Sequence, residues 1–201
     1  MVTDHCQGRE AIRIDPASVA FDIDGVIADT MTLFLDIARQ DYGVSNLRYD
    51  DMTAYALADC LDMDPALIGV ILERIMAGDY TAPLASIGGA ETVLPRVAEH
   101  RNPLLFVTAR PHPGPMGDWL CDALRLPAAA IKVIATGTFE GKTDVLRENG
   151  IRFFVEDRLE TCYRLKDDGI EPVLYRQPWN RAPHPFTEVG SWRELEALMN
   201  F

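Results

Sequence analysis

Paired cysteines, basic runs and long apolar stretches are all missing from this sequence, and each absence narrows what the chain can be. Its four cysteines, Cys6, Cys60, Cys121 and Cys162, are scattered and form no C-x-x-C pair, so neither a disulfide framework nor a cysteine zinc site is expected. The four histidines, His5, His100, His112 and His184, show no paired ligand spacing either; His5 beside Cys6 is a place for adventitious metal only. The longest apolar run, Ala66 to Leu72, falls far short of the ~18 residues that a membrane helix requires. The opening MVTDHCQGRE lacks the basic-then-apolar order of a signal peptide. A cytoplasmic protein with no membrane partner is therefore expected. Basic charge is in deficit: 19 Lys and Arg stand against 31 Asp and Glu, a net charge of −12. Such a surface repels phosphate backbones, so a nucleic-acid polymer is disfavoured as a partner. A small anion stays admissible, because a bound metal and a few cations can reverse the field locally.

What is present is the composition of a globular protein. With 201 residues, 48% hydrophobic and 25% charged, the chain is long enough for one domain and a modest insertion. Short apolar runs alternate with amphipathic stretches, the pattern of an α/β domain with a mainly parallel sheet. Strands are expected at Ser18 to Ile23, Pro103 to Thr108, Ile131 to Ala135, Arg152 to Glu156 and Pro172 to Tyr175. Helices are expected near Ala90 to His100, Met116 to Leu126, Lys142 to Asn149 and Leu159 to Asp168, with a last one opening at Ser191, where Ser191 and Glu194 have capping-box spacing. The gap between the first two strands is too long for one crossover and is helical in composition throughout. It is expected to be an inserted cap over residues 29–87, with helices at Asp29 to Gln40, at Asp51 to Leu61, and from Asp64-Pro65 to a stop at Gly78. The catalytic core would then comprise residues 16–28 and 88–201, and residues 1–15 an N-terminal extension.

The segment richest in chemistry is Val19-Ala20-Phe21-Asp22-Ile23-Asp24-Gly25, in which an apolar strand ends in two carboxylates one residue apart. The C-terminal end of a parallel strand opens into the ligand crevice, and carboxylates there can hold a hard cation through oxygen. An Asp-Gly turn following a strand is the plain alternative. A calcium EF-hand loop fits worse, since the sixth and twelfth positions counted from Asp22 are Ile27 and Leu33. Three more segments fall at strand ends. Leu104-Leu105-Phe106-Val107 runs into Thr108-Ala109-Arg110; Lys142 opens a helix after Gly141; Phe153-Phe154-Val155 runs into Glu156-Asp157. Taken singly, each has an ordinary reading: a strand-ending hydroxyl, a surface lysine, an N-cap.

Taken in that order, D-x-D-G, T, K and E-D resemble the haloacid dehalogenase superfamily of phosphohydrolases over about residues 18 to 175. The resemblance implies a Rossmann-like domain with a C1-type helical cap inserted after the first strand. It also implies a Mg²⁺-dependent phosphomonoesterase, with Asp22 as nucleophile and Asp24 as general acid/base. Thr108 and Lys142 would grip the phosphoryl oxygens, with Gly25, Ala109 and the Val26 amide adding to the cradle. Asp22, Asp24 (through its carbonyl), Glu156 and Asp157 would hold the Mg²⁺. The segment from Val173 through Gln177-Pro178-Trp179-Asn180 to Arg181 is similar to the C-terminal part of the soluble 5′(3′)-deoxyribonucleotidases, which implies a small phosphorylated substrate such as a nucleoside monophosphate. Phe34, Tyr42, Tyr49 and Tyr55 offer stacking surface in the cap, where aromatics also serve as core; Phe34, Arg110 and Asn180 are the candidate substrate contacts. The sequence departs from the nucleotidase pattern in having Glu156-Asp157 rather than Asp-Asp and in its Thr-Ala-Arg.

Other classes stay open at this point. Gly137-Thr138-Phe139-Glu140-Gly141-Lys142-Thr143 is one residue short of a P-loop. A transferase or mutase would use the same Asp22 chemistry with a hydroxyl acceptor, and a non-catalytic relative would keep only the metal.

Overall fold

The computed structural model of the chain describes residues 12 to 201. The residues His5 and Cys6, and most of the expected N-terminal extension, lie outside the described residues. Six strands, β1 (Val19–Phe21), β2 (Leu104–Thr108), β3 (Ile131–Ala135), β4 (Phe153–Glu156), β5 (Glu171–Tyr175) and β6 (Thr187–Val189), form one wholly parallel sheet in the order β3-β2-β1-β4-β5-β6. The helices are α1 (Thr30–Tyr42), α2 (Pro65–Ala77), α3 (Ala90–Ala98), α4 (Met116–Leu124), α5 (Lys142–Glu148), α6 (Leu159–Asp167) and α7 (Trp192–Leu198).

Strand side chains alternate between two buried faces, the signature of a parallel sheet covered on both sides. Val19, Phe21, Phe106 and Val155 face α3, α4 and α7 through Leu94, Leu120 and Trp192. Ala20, Leu105, Val107 and Phe154 face α5 and α6 through Leu146 and Leu165. This is a Rossmann-like, three-layer α/β fold, and full burial of each large side chain stabilises it by ~1.5–3 kcal/mol. The sixth strand, unforeseen in the sequence, extends the sheet by only three residues. At the other end of the described chain, Ile14 pairs with Met199 and is wholly buried, which ties the start of the described chain to its last helix.

A separate apolar cluster, built from Leu33, Phe34, Ile37, Met52, Ile68, Ile71 and Ile75, fills the segment between β1 and β2. Its helices start and stop where side-chain chemistry dictates. Asp29 caps α1 by accepting from the Thr32 amide at 3.1 Å, and Gly43 ends it with a left-handed backbone. Asp64 caps α2, Pro65 fills its first turn and Gly78 closes it. The helix expected from Asp51 to Leu61 does not form; only the short 3-10 turns Tyr49–Asp51 and Leu57–Asp59 do. A helix would set Met52 and Tyr55 on one face. Here Met52 enters the apolar cluster while the Tyr55 ring crosses to Phe139, 5.8 Å away. The two connections to this segment run side by side: Ala28 bridges Ser86 antiparallel, the Asp29 amide donates to Ala85 at 2.9 Å, and the Ile87 amide donates to Ile27 at 2.7 Å.

Candidate active site

The central strand β1 delivers Asp22 to the crevice, and the Asp22 amide is tied to the Val155 carbonyl of β4 at 2.9 Å. Beyond it the chain folds back on itself. The Ile23 carbonyl accepts from Ile27 and Ala28, and the Gly25 amide donates to Ala28 at 3.0 Å. Gly25 has a φ of +72°, and a Cβ on it would lie 2.2 Å from Asp157 Oδ2 and 3.1 Å from the Trp179 ring. Only glycine allows this approach.

Beneath Asp22 lies Lys142, the first residue of α5 and fully buried. Its Nζ stands 3.0 Å from Asp22 Oδ1 and 2.8 Å from Glu156 Oε2. Burial opposes the lysine charge, but the two carboxylates more than offset that and raise its pKa. Glu156 is saturated: its Oε1 accepts from the amides of Asp157 and Arg158 at 3.1 and 3.0 Å. The Asp157 Oδ2 accepts from Trp179 Nε1 at 3.0 Å, and its carbonyl accepts from Asn180 Nδ2 at 2.7 Å.

Three acids within a few ångströms repel one another. Burial first, then Glu156 and Asp24, against the pull of Lys142, push Asp22 up to about 8. Burial together with Glu156 and Asp22 also raises Asp157 well above the usual carboxylate range. One oxygen each from Asp22, Glu156 and Asp157 lie within 4.8 Å of one another. Asp22 Oδ1 is buried without a well-directed hydrogen-bond donor, despite its proximity to Lys142. An all-oxygen set of this kind, short of positive charge, fits a hard divalent cation.

Asp24 sits in a different environment. Arg110 grips both of its oxygens, Nε to Oδ2 at 2.9 Å and Nη2 to Oδ1 at 2.6 Å, and Thr30 Oγ1 donates to Oδ1 at 2.6 Å. Burial works against its charge, yet Arg110 and Thr30 hold its pKa below the ordinary value. The site opens into a cavity of about 380 Å³ lined by Asp22, Asp24, Thr108, Ala109, Arg110 and Asp157 on the sheet side. The same cavity is lined by Met31, Tyr55, Leu57, Leu72, Met76, Phe139 and Trp179.

Residues 16–200 match the family model described as 5′ nucleotidase, deoxy (pyrimidine), cytosolic type C protein. The chain belongs to this nucleotidase family. No curated protein is significantly similar in sequence. Among solved structures, the nucleotidase fold is shared with CbbY from Rhodobacter sphaeroides, in complex with phosphate: TM-score 0.55, 19% identity, 89% of this chain and 96% of the other covered. A haloacid dehalogenase-like hydrolase from Streptococcus pneumoniae gives TM-score 0.59 at 13% identity, covering 93% and 98%. A HAD-superfamily hydrolase from Ehrlichia chaffeensis gives 0.55 at 15%, covering 90% and 95%. The chain is thus a phosphatase by family, with the fold of HAD-like hydrolases.

In this nucleotidase the residues singled out in the sequence fall into three groups. Asp22, Asp24, Thr108, Ala109, Arg110 and Asp157 meet at one cavity, with Lys142 and Glu156 directly beneath. Gly25 also lines the cavity, while its amide and that of Val26 donate within their own loop, to Ala28 and Ile23. Phe34 is fully buried in the apolar cluster of the insertion rather than at the cavity, because α1 turns that face inward. Asn180 is equally buried and bonds only main-chain groups of Asp157, Tyr175 and Gln177. It is scaffold, not a substrate contact. Sequence reasoning missed Thr30, Gln177 and Trp179. Gln177 donates to the Gly25 carbonyl at 2.6 Å and accepts from Tyr49 at 2.8 Å. For Gln177 and Trp179 the signal was the Gln-Pro-Trp-Asn run itself, polar and aromatic residues just after a buried strand; Thr30 carried none.

Proposed function

We propose that this nucleotidase is a Mg²⁺-dependent phosphomonoesterase that works through an aspartyl-phosphate on Asp22 and takes a nucleoside monophosphate. The observation that carries the reading is the mixed cavity: its lining joins the carboxylates of Asp22, Asp24 and Asp157, with Lys142 buried behind Asp22, to the apolar side chains of Tyr55, Phe139, Trp179, Met31 and Met76. Its volume of about 380 Å³ suits a small ligand with one anionic and one flat apolar end.

Asp22 and Asp157 are the direct cation ligands in this reading, since both oxygens of Glu156 are committed. A Mg²⁺ held by Asp22 and Asp157 would supply Lewis-acid neutralisation of the phosphoryl oxygens and would favour the ionised form of Asp22. The Asp22 carboxylate attacks phosphorus, the ester P–O bond breaks, and the leaving oxygen takes a proton from Asp24. Asp24 then removes a proton from water, which attacks phosphorus and releases Asp22 with inorganic phosphate. Acid/base help of this kind is worth ~10²–10⁴ in rate. Arg110 keeps Asp24 ionised in the resting site. A phosphoryl dianion entering beside Thr108 competes for that guanidinium and raises the proton affinity of Asp24, which takes up a proton from solvent before giving it to the leaving oxygen. Lys142 holds Asp22 in place and opposes the charge of the acids around it. The absence of a membrane-length apolar helix among the described residues and the family's cytosolic description support a cytoplasmic setting.

The test is phosphate release from 5′- and 3′-nucleotides, sugar phosphates and p-nitrophenyl phosphate, with EDTA and Asp22→Asn controls. Nucleoside monophosphate turnover lost in both controls is expected. Turnover that survives EDTA removes the metal, and silence across the panel from folded, Mg²⁺-binding protein removes the hydrolase.

A further inference from the structure

The turn after β5 reaches the acidic cluster through the side chains of Gln177, Trp179 and Asn180. Asn180 pins the main chain of this turn to the Asp157 carbonyl at 2.7 Å and the Tyr175 carbonyl at 2.8 Å. Gln177 pins it to the Gly25 carbonyl at 2.6 Å. Between them the Trp179 indole reaches the Asp157 carboxylate itself, Nε1 to Oδ2 at 3.0 Å. Its ring also packs on the apolar cluster of the insertion and lies 6.0 Å from the Tyr49 ring.

We propose that Trp179 is a positioning residue for the cation site, fixing which oxygen of Asp157 faces the metal. An indole N–H is a donor only; it cannot ligate a cation and cannot accept a proton. It therefore occupies Oδ2 permanently and sets the plane of the carboxylate. Without it, Asp157 would be a buried carboxylate facing Asp22 and Glu156 with no side-chain donor on Oδ2, free to rotate away from the two like charges. Gly25 is the enabling residue, since any Cβ there would displace both the Asp157 oxygen and the indole edge. Partners that orient a metal ligand commonly change affinity by 10- to 100-fold when removed. The inference rests on the metal-dependent reading given above.

The experiment uses the full chain without substrate and Mg²⁺ alone as the probe. Calorimetric titration is expected to show Trp179→Phe binding Mg²⁺ about 10- to 100-fold more weakly than the native chain, with Trp119→Phe unchanged, because Trp119 donates to Leu84 away from the cluster. In ¹H–¹⁵N spectra of the native chain, one indole N–H signal should move on Mg²⁺ addition, the one with cross-peaks to the Tyr49 ring. Equal affinity in Trp179→Phe, or no indole signal that moves, overturns the inference while leaving Mg²⁺-dependent turnover in place. Should Trp179→Phe not fold, the native spectrum decides alone. A native chain that binds no Mg²⁺ and turns over in EDTA overturns the metal-dependent reading, and this inference with it.

Discussion

Arg110 and Asp24 form a two-pronged ion pair, 2.9 and 2.6 Å, between the loop after β2 and the loop after β1. The guanidinium is nearly fully buried, and its Nη1 lies 3.5 Å from the Ile75 carbonyl in the last turn of α2. Removing one partner of such a pair costs ~3–5 kcal/mol, so Arg110→Ala should lose that much stability at neutral pH. Asp24 has a depressed pKa in the fold, so its contribution exists above the unfolded value near 3.8 and is lost as pH falls through the lower folded value. The gap between native chain and variant should narrow from pH 7 to pH 3 in denaturant titrations. A gap independent of pH would mean that Arg110 stabilises by packing alone.

Asp22 behaves in the opposite sense. Its folded pKa rises from 3.8 to about 8, so its relative stabilisation is complete below the unfolded value and drains away as pH climbs through the folded one. In EDTA, Asp22→Asn should therefore match the native chain near pH 4 and exceed it by roughly 1–3 kcal/mol at pH 8, while losing catalysis. Saturating Mg²⁺ should erase the native chain's deficit. Thermal unfolding across this range, with and without metal, checks both parts.

Gly25→Ala is expected to be far more damaging than a loop substitution ordinarily is. The left-handed backbone alone costs ~1–2 kcal/mol for a residue with a Cβ, and the added atom would sit 2.2 Å from Asp157 Oδ2. Loss of Mg²⁺ affinity should exceed the loss expected from backbone strain, as read by metal titration on the folded fraction.

Phe34 and Tyr55 are both aromatics of the insertion, and they should fail differently. Phe34→Ala empties the apolar cluster and should cost ~3–5 kcal/mol. Tyr55→Ala removes a cavity wall that stacks edge-on to Phe139. It should raise KM for nucleoside monophosphates several-fold, in line with ~0.5–1.5 kcal/mol per aromatic contact, and change KM for a small aliphatic phosphomonoester much less. Equal effects on both substrates would show that no base stacks there.

The parts of the molecule that were legible in the sequence are those written in local chemistry. The unbroken apolar run Leu104, Leu105, Phe106 and Val107 marks a strand buried on both faces, and Asp64-Pro65 with Gly78 marks both ends of α2. The D-x-D-G and E-D pairs stood out only in combination, as acids ending separate apolar strands, since a turn or an N-cap accounts for either one alone. The segment from 51 to 61 was not, since its composition favours a helix while contacts distant in sequence, Met52 inward and Tyr55 to Phe139, override it. Nor could spacing show that Arg110 would meet Asp24, 86 positions earlier. Phe34 and Asn180 were misplaced for the same reason: type and position do not say which way a side chain turns.

The paired connections at Ala28 and Ser86 have a consequence for how this protein can change. Because the chain leaves the sheet and returns to it at neighbouring points, everything from residue 29 to residue 85 behaves as a detachable loop from the viewpoint of the sheet. Replacement of that stretch by a longer, shorter or differently folded piece need not shift Asp22, Thr108 or Lys142, which are anchored by β1, β2 and α5. Thr30, which donates to Asp24, and Ile75, whose carbonyl faces Arg110, are the points at which such a replacement would still reach the reacting groups.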